Sequence, residues 1–174
     1  MILFVNACVR RESRTKKLAD RLLAELKKDT GNNPGNDVEE VRLEDIVFPA
    51  ADEAFLKKRD ALIAGGQLED PLLAPARQFA SADIIVIAAP YWDLSFPAAL
   101  KQYIEQVNVV GITFEYTPEG IPRGLCRAKK LYYVMTAGGT YVPEEFGYGY
   151  VKALAQSFYG IEDVELIKET GLDI

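Results

Sequence analysis

Residues Asp83 to Ala89 read DIIVIAA, an unbroken apolar run rich in β-branched side chains. A strand with one wet face alternates polar and apolar residues, whereas a run apolar throughout is the pattern of an inner strand of a parallel sheet, buried on both faces. Parallel strands are joined by crossovers, so this run commits the chain to an α/β fold with helices on both faces of the sheet. Pro90 follows and ends the ladder because it has no amide hydrogen to donate. Tyr91 and Trp92 therefore stand where the chain leaves the sheet, in a loop whose single charge is Asp93. Pro97 suits the first turn of a helix, and Leu100, Tyr103, Ile104 and Val107 then recur at helical spacing. Open α/β sheets bind ligands at the carboxyl edge of their strands, and Tyr91, Trp92 and Phe96 have the character of a wall around a flat aromatic ligand. Taken alone, these aromatics are equally explained as packing of the loop onto the core.

Two other segments bear on the choice. Ile2 to Val5 make a short apolar strand, and a helix is predicted from about Arg14 to Lys28, with Leu18, Leu22, Leu23 and Leu26 on one face. The loop between them holds Cys8, Arg10, Arg11, Ser13, Arg14 and Thr15. Its hydroxyls sit where a helix begins, beside orphan backbone amides and the positive end of the helix dipole, which is a place for phosphate. An ordinary helix cap explains Ser13 by itself, and solvation explains the arginines. Neither GxGxxG after this strand nor GxxxxGK[ST] anywhere is present, so the phosphate would belong to something other than a nucleotide held in those ways. Lys129 to Gly139, KKLYYVMTAGG, is a third apolar strand ending in Thr136, Ala137, Gly138 and Gly139. Paired glycines let main-chain amides approach a ligand, although a structural turn is the alternative. One loop suits phosphate, one an aromatic ring and one backbone contact, and a phosphorylated flat heterocycle satisfies all three.

The chain resembles the flavodoxin-like NAD(P)H-dependent FMN oxidoreductases, the group of bacterial azoreductases and NAD(P)H quinone reductases. The resemblance rests on Ser13-Arg14-Thr15 with Leu18 and Ala19, on APYWDLSFPAALKQYIEQV, on GITFEYTPEGIPRGL and on TAGG, and runs from Met1 to about Thr170. It implies FMN as cofactor, NADH or NADPH as donor, and five parallel strands in the order 2-1-3-4-5 with helices on both faces. It further implies that Ser13, Arg14 and Thr15 hold the FMN phosphate, and Arg10 in the same loop is a further cofactor-binding candidate. Pro90, Tyr91, Trp92, Asp93 and Leu94 would line the isoalloxazine, and Thr136, Ala137, Gly138 and Gly139 would contact its polar edge. Cys8 matches a position that is often a small hydroxyl residue of the same site. The strand order comes from the resemblance, since periodicity does not fix it. The order agrees with the motifs, because it places the ligand at the switch between strands 1 and 3, where the Ser13 and Tyr91 loops would meet.

The chain departs from that group in two respects. It has no histidine, whereas the related quinone reductases place a tyrosine and a histidine near the flavin; Tyr141, just past TAGG, is a candidate by position, as are Glu115 and Asp93, and no catalytic residue is assigned. The sequence given stops soon after the strand-like run Val164 to Lys168, so the terminal helix usual in the group is expected to be missing or short, its sheet face covered by something else such as a second subunit.

A length of 174 residues, 49% hydrophobic and 26% charged, fits a single domain spanning residues 1–174. The opening does not read as a signal peptide, and no apolar run approaches the ~18 residues of a membrane span, so a soluble cytoplasmic enzyme is expected. Cys8 and Cys126 are expected to be reduced thiols; with no histidine in the chain they make neither a disulfide framework nor a zinc site. A net charge of -6 argues against nucleic acid as a partner. Elsewhere the pattern predicts an exposed turn-rich stretch over Thr30 to Asp37 and a strand over Val38 to Leu43. Helices are predicted over Asp52 to Ala64, Leu72 to Ser81 and Glu144 to Tyr159, with a small β excursion at Thr113 to Tyr116. The expected function is two-electron transfer from NAD(P)H through FMN to a quinone, azo or nitroaromatic acceptor, by ping-pong kinetics in a homodimer. A weakly active FMN-binding regulatory subunit and a one-electron carrier of the flavodoxin type are the alternatives.

Overall fold

The computed structural model describes residues 1–29 and 37–174. The turn-rich stretch expected from Thr30 to Asp37 lies outside the described residues except for Asp37 itself.

Five strands form one parallel sheet: β1 (Ile2–Asn6), β2 (Val38–Arg42), β3 (Ile84–Ala88), β6 (Lys130–Thr136) and β7 (Asp163–Glu169), in the order β2-β1-β3-β6-β7. With the two hairpin strands set aside, this is the expected 2-1-3-4-5 order of a flavodoxin-like fold. The register aligns Asn6 with Ala88 and Ala88 with Val134, so β1 and β3 end level and β6 runs two residues further at the same carboxyl edge. All five residues of β1 are buried, as are residues 85–88 of β3, in keeping with their unbroken apolar sequence.

Side chains alternate between the two faces. On one face Phe4, Val86, Ala88 and Val134 meet Leu18, Leu22, Leu23 and Leu26 of α1 (Arg14–Asp29); Ile84, Tyr132 and Ile167 at the margin of this cluster are only partly buried. Lys130 lies beside that margin, pairing with Asp163 at 2.9 Å and Glu165 at 2.7 Å. On the other face Leu3, Val5, Ile85, Ile87, Leu131, Tyr133 and Met135 pack with Phe79, Leu100, Tyr103, Val151 and Tyr159. These last five come from α3 (Ala74–Ser81), α4 (Ala98–Val107), α5 (Tyr148–Leu154) and the π-helical turn Ala155–Tyr159.

The second crossover carries two helices, as predicted. α2 (Glu53–Ala64) starts at Asp52, whose carboxylate accepts from the Phe55 amide at 2.8 Å. α3 is preceded by a 3₁₀ turn over Pro71–Leu73, so the predicted Leu72 to Ser81 helix is regular only from Ala74; Pro75 lies in its first turn, where its missing amide costs no helical bond. The helix predicted from Glu144 starts four residues late, at Tyr148. Residues 144–147 are drawn aside instead: Glu144 pairs with Lys168, and the Phe146 carbonyl accepts from Ser95. The β excursion is a hairpin of β4 (Phe114–Tyr116) and β5 (Pro122–Gly124). Phe114 and Tyr116 share a face, their ring centroids 5.4 Å apart. No helix among the described residues is long and apolar enough to cross a membrane.

The hairpin docks on the π-helical turn through main chain. A Cβ at Gly124 would lie 2.1 Å from both the Gly160 nitrogen and the Tyr159 carbonyl carbon. Backbone cannot yield as a side-chain tip can, so Gly124→Ala is expected to destabilise the protein by at least about 1–3 kcal/mol, measured by urea unfolding. Gly120→Ala, where nothing lies near the added carbon but φ is +79°, is expected to cost about 1 kcal/mol, from the left-handed backbone alone.

Candidate functional site

The carboxyl edge of β1, β3 and β6 gathers three loops. In the first, Asn6 turns the chain out of the sheet: its side-chain oxygen accepts from the Cys8 amide at 2.9 Å and its amide nitrogen donates to Glu40 at 2.8 Å. Ser13 then caps α1, its hydroxyl accepting from the Lys16 amide at 3.2 Å and its carbonyl from the Lys17 amide at 3.1 Å. The amides of Arg14 and Thr15, next in line, have no acceptor among the described residues. Two free donors at the positive end of a 16-residue helix make a cradle for an anion. The Thr15 hydroxyl is turned inward and bonded to that of Thr136 at 2.7 Å, so of Thr15 it is the backbone amide that is left for a ligand. Arg14 donates to the Leu172 carbonyl at 2.9 Å and to the Asp173 carboxylate at 2.8 Å.

The second loop is tied to the third. The Tyr91 amide donates to the Thr136 carbonyl, and the Tyr91 hydroxyl to the Pro143 carbonyl, both at 3.1 Å. Burial first, and the nearby Tyr141 and Glu145 after it, push the Tyr91 phenol up, so it stays a neutral donor at ordinary pH. Trp92 and Ser95 exchange both backbone bonds across Asp93 and Leu94, which have φ of 50° and 66°. Successive positive φ values are those of a tight type I′ hairpin turn, where Asn-Gly is the usual pair. A leucine in that region carries about 1–2 kcal/mol of steric cost. The Ser95 hydroxyl, donating to the Phe146 carbonyl at 2.8 Å, helps to hold the turn closed.

In the third loop the Ala137 amide donates to the Glu169 carbonyl at 3.0 Å, while the amides of Gly138 and Gly139 have no acceptor among the described residues. A Cβ on Gly138 would lie 2.0 Å from Oδ2 of Asp173, so a side chain there would displace that carboxylate.

Between the loops lies a cleft of about 200 Å³, lined by Arg10, Ser13, Arg14, Thr15, Pro90, Tyr91, Trp92, Thr136 and Gly138 among the expected residues. Other expected residues stand off it. Cys8 is buried beneath the loop, its sulfur 3.8 Å from the Ala88 carbonyl and beside the Ser13 side chain, and desolvation pushes its thiol up; it packs with the core and is not part of the lining. Asp93 and Leu94 project outward from their turn, and Ala137 and Gly139 contribute backbone beside the cleft. Tyr141 is 81% exposed and off the lining. The lining also includes Val9, Glu12 and Asp173, which sequence reasoning missed. Val9 and Glu12 belong to the predicted loop and were discoverable there, whereas Asp173 arrives from the far end of the chain with no local signal.

The donor set suits a phosphate monoester at the α1 end, where the Asp173 carboxylate engages the Arg14 side chain. Pro90, Tyr91 and Trp92 offer a flat apolar flank for a ring, and the free glycine amides offer donors for carbonyl or ring-nitrogen atoms.

The chain and its fold have known relatives. A family model described as a flavodoxin-like fold matches residues 1–173. The chain is 41% identical over 179 residues to an FMN-dependent NADH:quinone oxidoreductase of Clostridium perfringens, covering 99% of this chain and 87% of the relative. It is 38% identical over 184 residues to a protein of the same description from Clostridium beijerinckii, with the same coverage. Among solved structures, an azoreductase from Bacillus anthracis superposes with a TM-score of 0.84 at 28% identity, over 99% of this chain and 87% of that one. An FMN-dependent NADH-azoreductase from Bacillus anthracis in complex with FMN gives 0.82 at 26% identity, over 99% and 88%.

The buried pair Thr15 and Thr136 braces the cradle against β6, and its energetics are testable. Thr15→Val or Thr136→Val alone strands a buried hydroxyl and is expected to cost about 1–3 kcal/mol. The double variant removes both polar groups and is expected to cost clearly less than the sum. Additive losses in urea unfolding would mean that the hydroxyls act independently.

Proposed function

The chain belongs to the flavodoxin-like family, and from that premise we propose that it is an FMN-dependent NADH:quinone oxidoreductase that also accepts azo and nitroaromatic compounds. The observation that carries the proposal is the convergence of the free Arg14 and Thr15 amides, the Tyr91–Trp92 flank and the free Gly138 and Gly139 amides on one cleft. A flavin mononucleotide offers a phosphate, a flat ring and a polar edge in that order. Sequence identities near 40% with proteins described as FMN-dependent NADH:quinone oxidoreductases support the reaction and favour NADH over NADPH as donor.

Bound FMN would supply the two-electron relay between the nicotinamide and the acceptor. The residues of this chain supply position. Ser13, Arg14 and Thr15 anchor the phosphate, and Pro90 to Trp92 present one flank to the ring. The bond from Tyr91 to Pro143 keeps that flank in register with the glycine loop. Reduction of a quinone to a quinol takes up two electrons and two protons; one proton travels with the hydride from NADH and the second is drawn from solvent through the open cleft. Donor and acceptor would use the same open cleft in turn, which is the reason for ping-pong order. NADH as donor supports a cytoplasmic enzyme.

We assign the acceptor side to a homodimer. Phe146 is 59% and Leu94 46% exposed, and Phe96 and Tyr150, with ring centroids 5.9 Å apart, line a shallow apolar pocket with Phe146 beside the site. A second copy covering this patch would complete the slot for a flat acceptor.

A weakly active FMN-binding regulatory subunit is the second reading, favoured by the absence of histidine from the chain and by the outward position of Tyr141. Steady-state reduction of menadione by NADH separates the two. Parallel double-reciprocal lines with FMN-reconstituted protein are expected, and Trp92→Ala is expected to raise the acceptor KM roughly two- to tenfold through lost stacking. Flavin that is retained but not turned over would favour the regulatory subunit, and accumulation of a one-electron reduced state on titration would favour a carrier.

A further inference from the structure

The most unexpected group in the cleft is an acid. Past β7 the chain turns at Gly171, φ 72°, and runs back along the glycine loop. The Gly171 amide donates to the Gly139 carbonyl at 2.8 Å, the Leu172 amide to the Ala137 carbonyl at 3.3 Å, and the Asp173 amide to the Gly138 carbonyl at 3.1 Å. Three backbone bonds thus fix where the Asp173 side chain starts, and it reaches across Gly138 into the cleft. One carboxylate oxygen takes a terminal nitrogen of Arg14 at 2.8 Å, and the Leu172 carbonyl takes the other at 2.9 Å. Both terminal nitrogens of the arginine beside the anion cradle are therefore engaged by the same short turn.

We propose that Asp173 is an internal competitor for the phosphate end of the site: its carboxylate holds Arg14 until a phosphate monoester displaces it. The proposal rests on the FMN reading above for the identity of the physiological ligand, and on the geometry alone for the competition. A carboxylate and a phosphate dianion repel when both lie against one guanidinium, so loading the cradle requires Arg14 to exchange one acceptor for the other. Asp173 is 67% exposed, so its carboxylate is free to swing into solvent when it is displaced. The backbone of the turn keeps its bonds to Ala137, Gly138 and Gly139 while the carboxylate leaves. Asp173 in this role sets affinity; it takes no part in the chemistry.

The test compares wild type and Asp173→Asn, each alone and in an Arg14→Ala background, for binding of three probes followed calorimetrically: FMN, riboflavin and inorganic phosphate. Removing the competing charge is expected to tighten FMN and inorganic phosphate by roughly three- to tenfold, the range for a partly screened pair plus relief of repulsion. Riboflavin, which has no phosphate, is expected to bind both proteins equally. In the Arg14→Ala background the gain from Asp173→Asn is expected to shrink towards none. FMN and phosphate affinities that stay level or fall in Asp173→Asn would overturn the proposal, as would an equal gain for riboflavin or a gain that survives loss of Arg14. Phosphate binding that responds to Asp173→Asn in a protein that ignores FMN would uphold the competition and sink the flavin reading, so the two fail separately. No phosphate binding by any of the four proteins overturns the competition.

Discussion

The site depends on a ladder of backbone hydrogen bonds that does not stop where the strands do. The Ala7 amide bonds to Ala88, Ala89 to Val134, Tyr91 to Thr136 and Ala137 to Glu169, all between 2.9 and 3.1 Å. Each is the next rung of a parallel pair, and together they carry the register of β1, β3, β6 and β7 into the loops that line the cleft. A parallel ladder buried on both faces has no slack, since a slip of one residue would turn every core side chain to the wrong side. Rigidity in the sheet thus becomes position in the loops, and a helix terminus, an aromatic flank and a pair of glycines are held within reach of one ligand.

Onto that frame the loops add local devices of differing cost. The α1 terminus costs little, because a helix leaves its first amides free in any case. The Thr15–Thr136 hydroxyl pair is buried and mutually satisfied, joining the cradle to β6. The Asp93–Leu94 turn is strained, with φ of 50° and 66°, and is kept by the paired bonds of Trp92 and Ser95 and by the tie from Ser95 to Phe146. Strain of this kind persists only where the surroundings over-determine it, and here it sits beside the proposed ring site and presents Leu94 to the outside.

Much of this was legible in the sequence because it is written locally. DIIVIAA could be little other than an inner parallel strand, and the leucine spacing of α1, the helix over Asp52 to Ala64 and the β excursion at Thr113 to Tyr116 each followed from a few neighbouring residues. What was illegible depended on contacts between distant residues. The Glu144 segment has a helical pattern but is drawn off by Lys168 and Ser95. Cys8 stands in the right loop but packs with the core, because the Asn6 side chain decides how the chain leaves β1. Asp173 lies 159 residues from the Arg14 it engages, and no pattern within either segment announces the pair.

The most direct test of the shared site is to follow backbone amide chemical shifts while FMN, and separately riboflavin, is titrated into the protein. With FMN, the large shifts are expected at Arg14 and Thr15, at Tyr91 to Leu94, and at Gly138 and Gly139. With riboflavin only the second and third groups are expected to move, because nothing reaches the cradle. Shifts confined to one loop, centred elsewhere in the fold, or identical for the two flavins at Arg14 and Thr15 would contradict a single cleft in which α1 holds the phosphate.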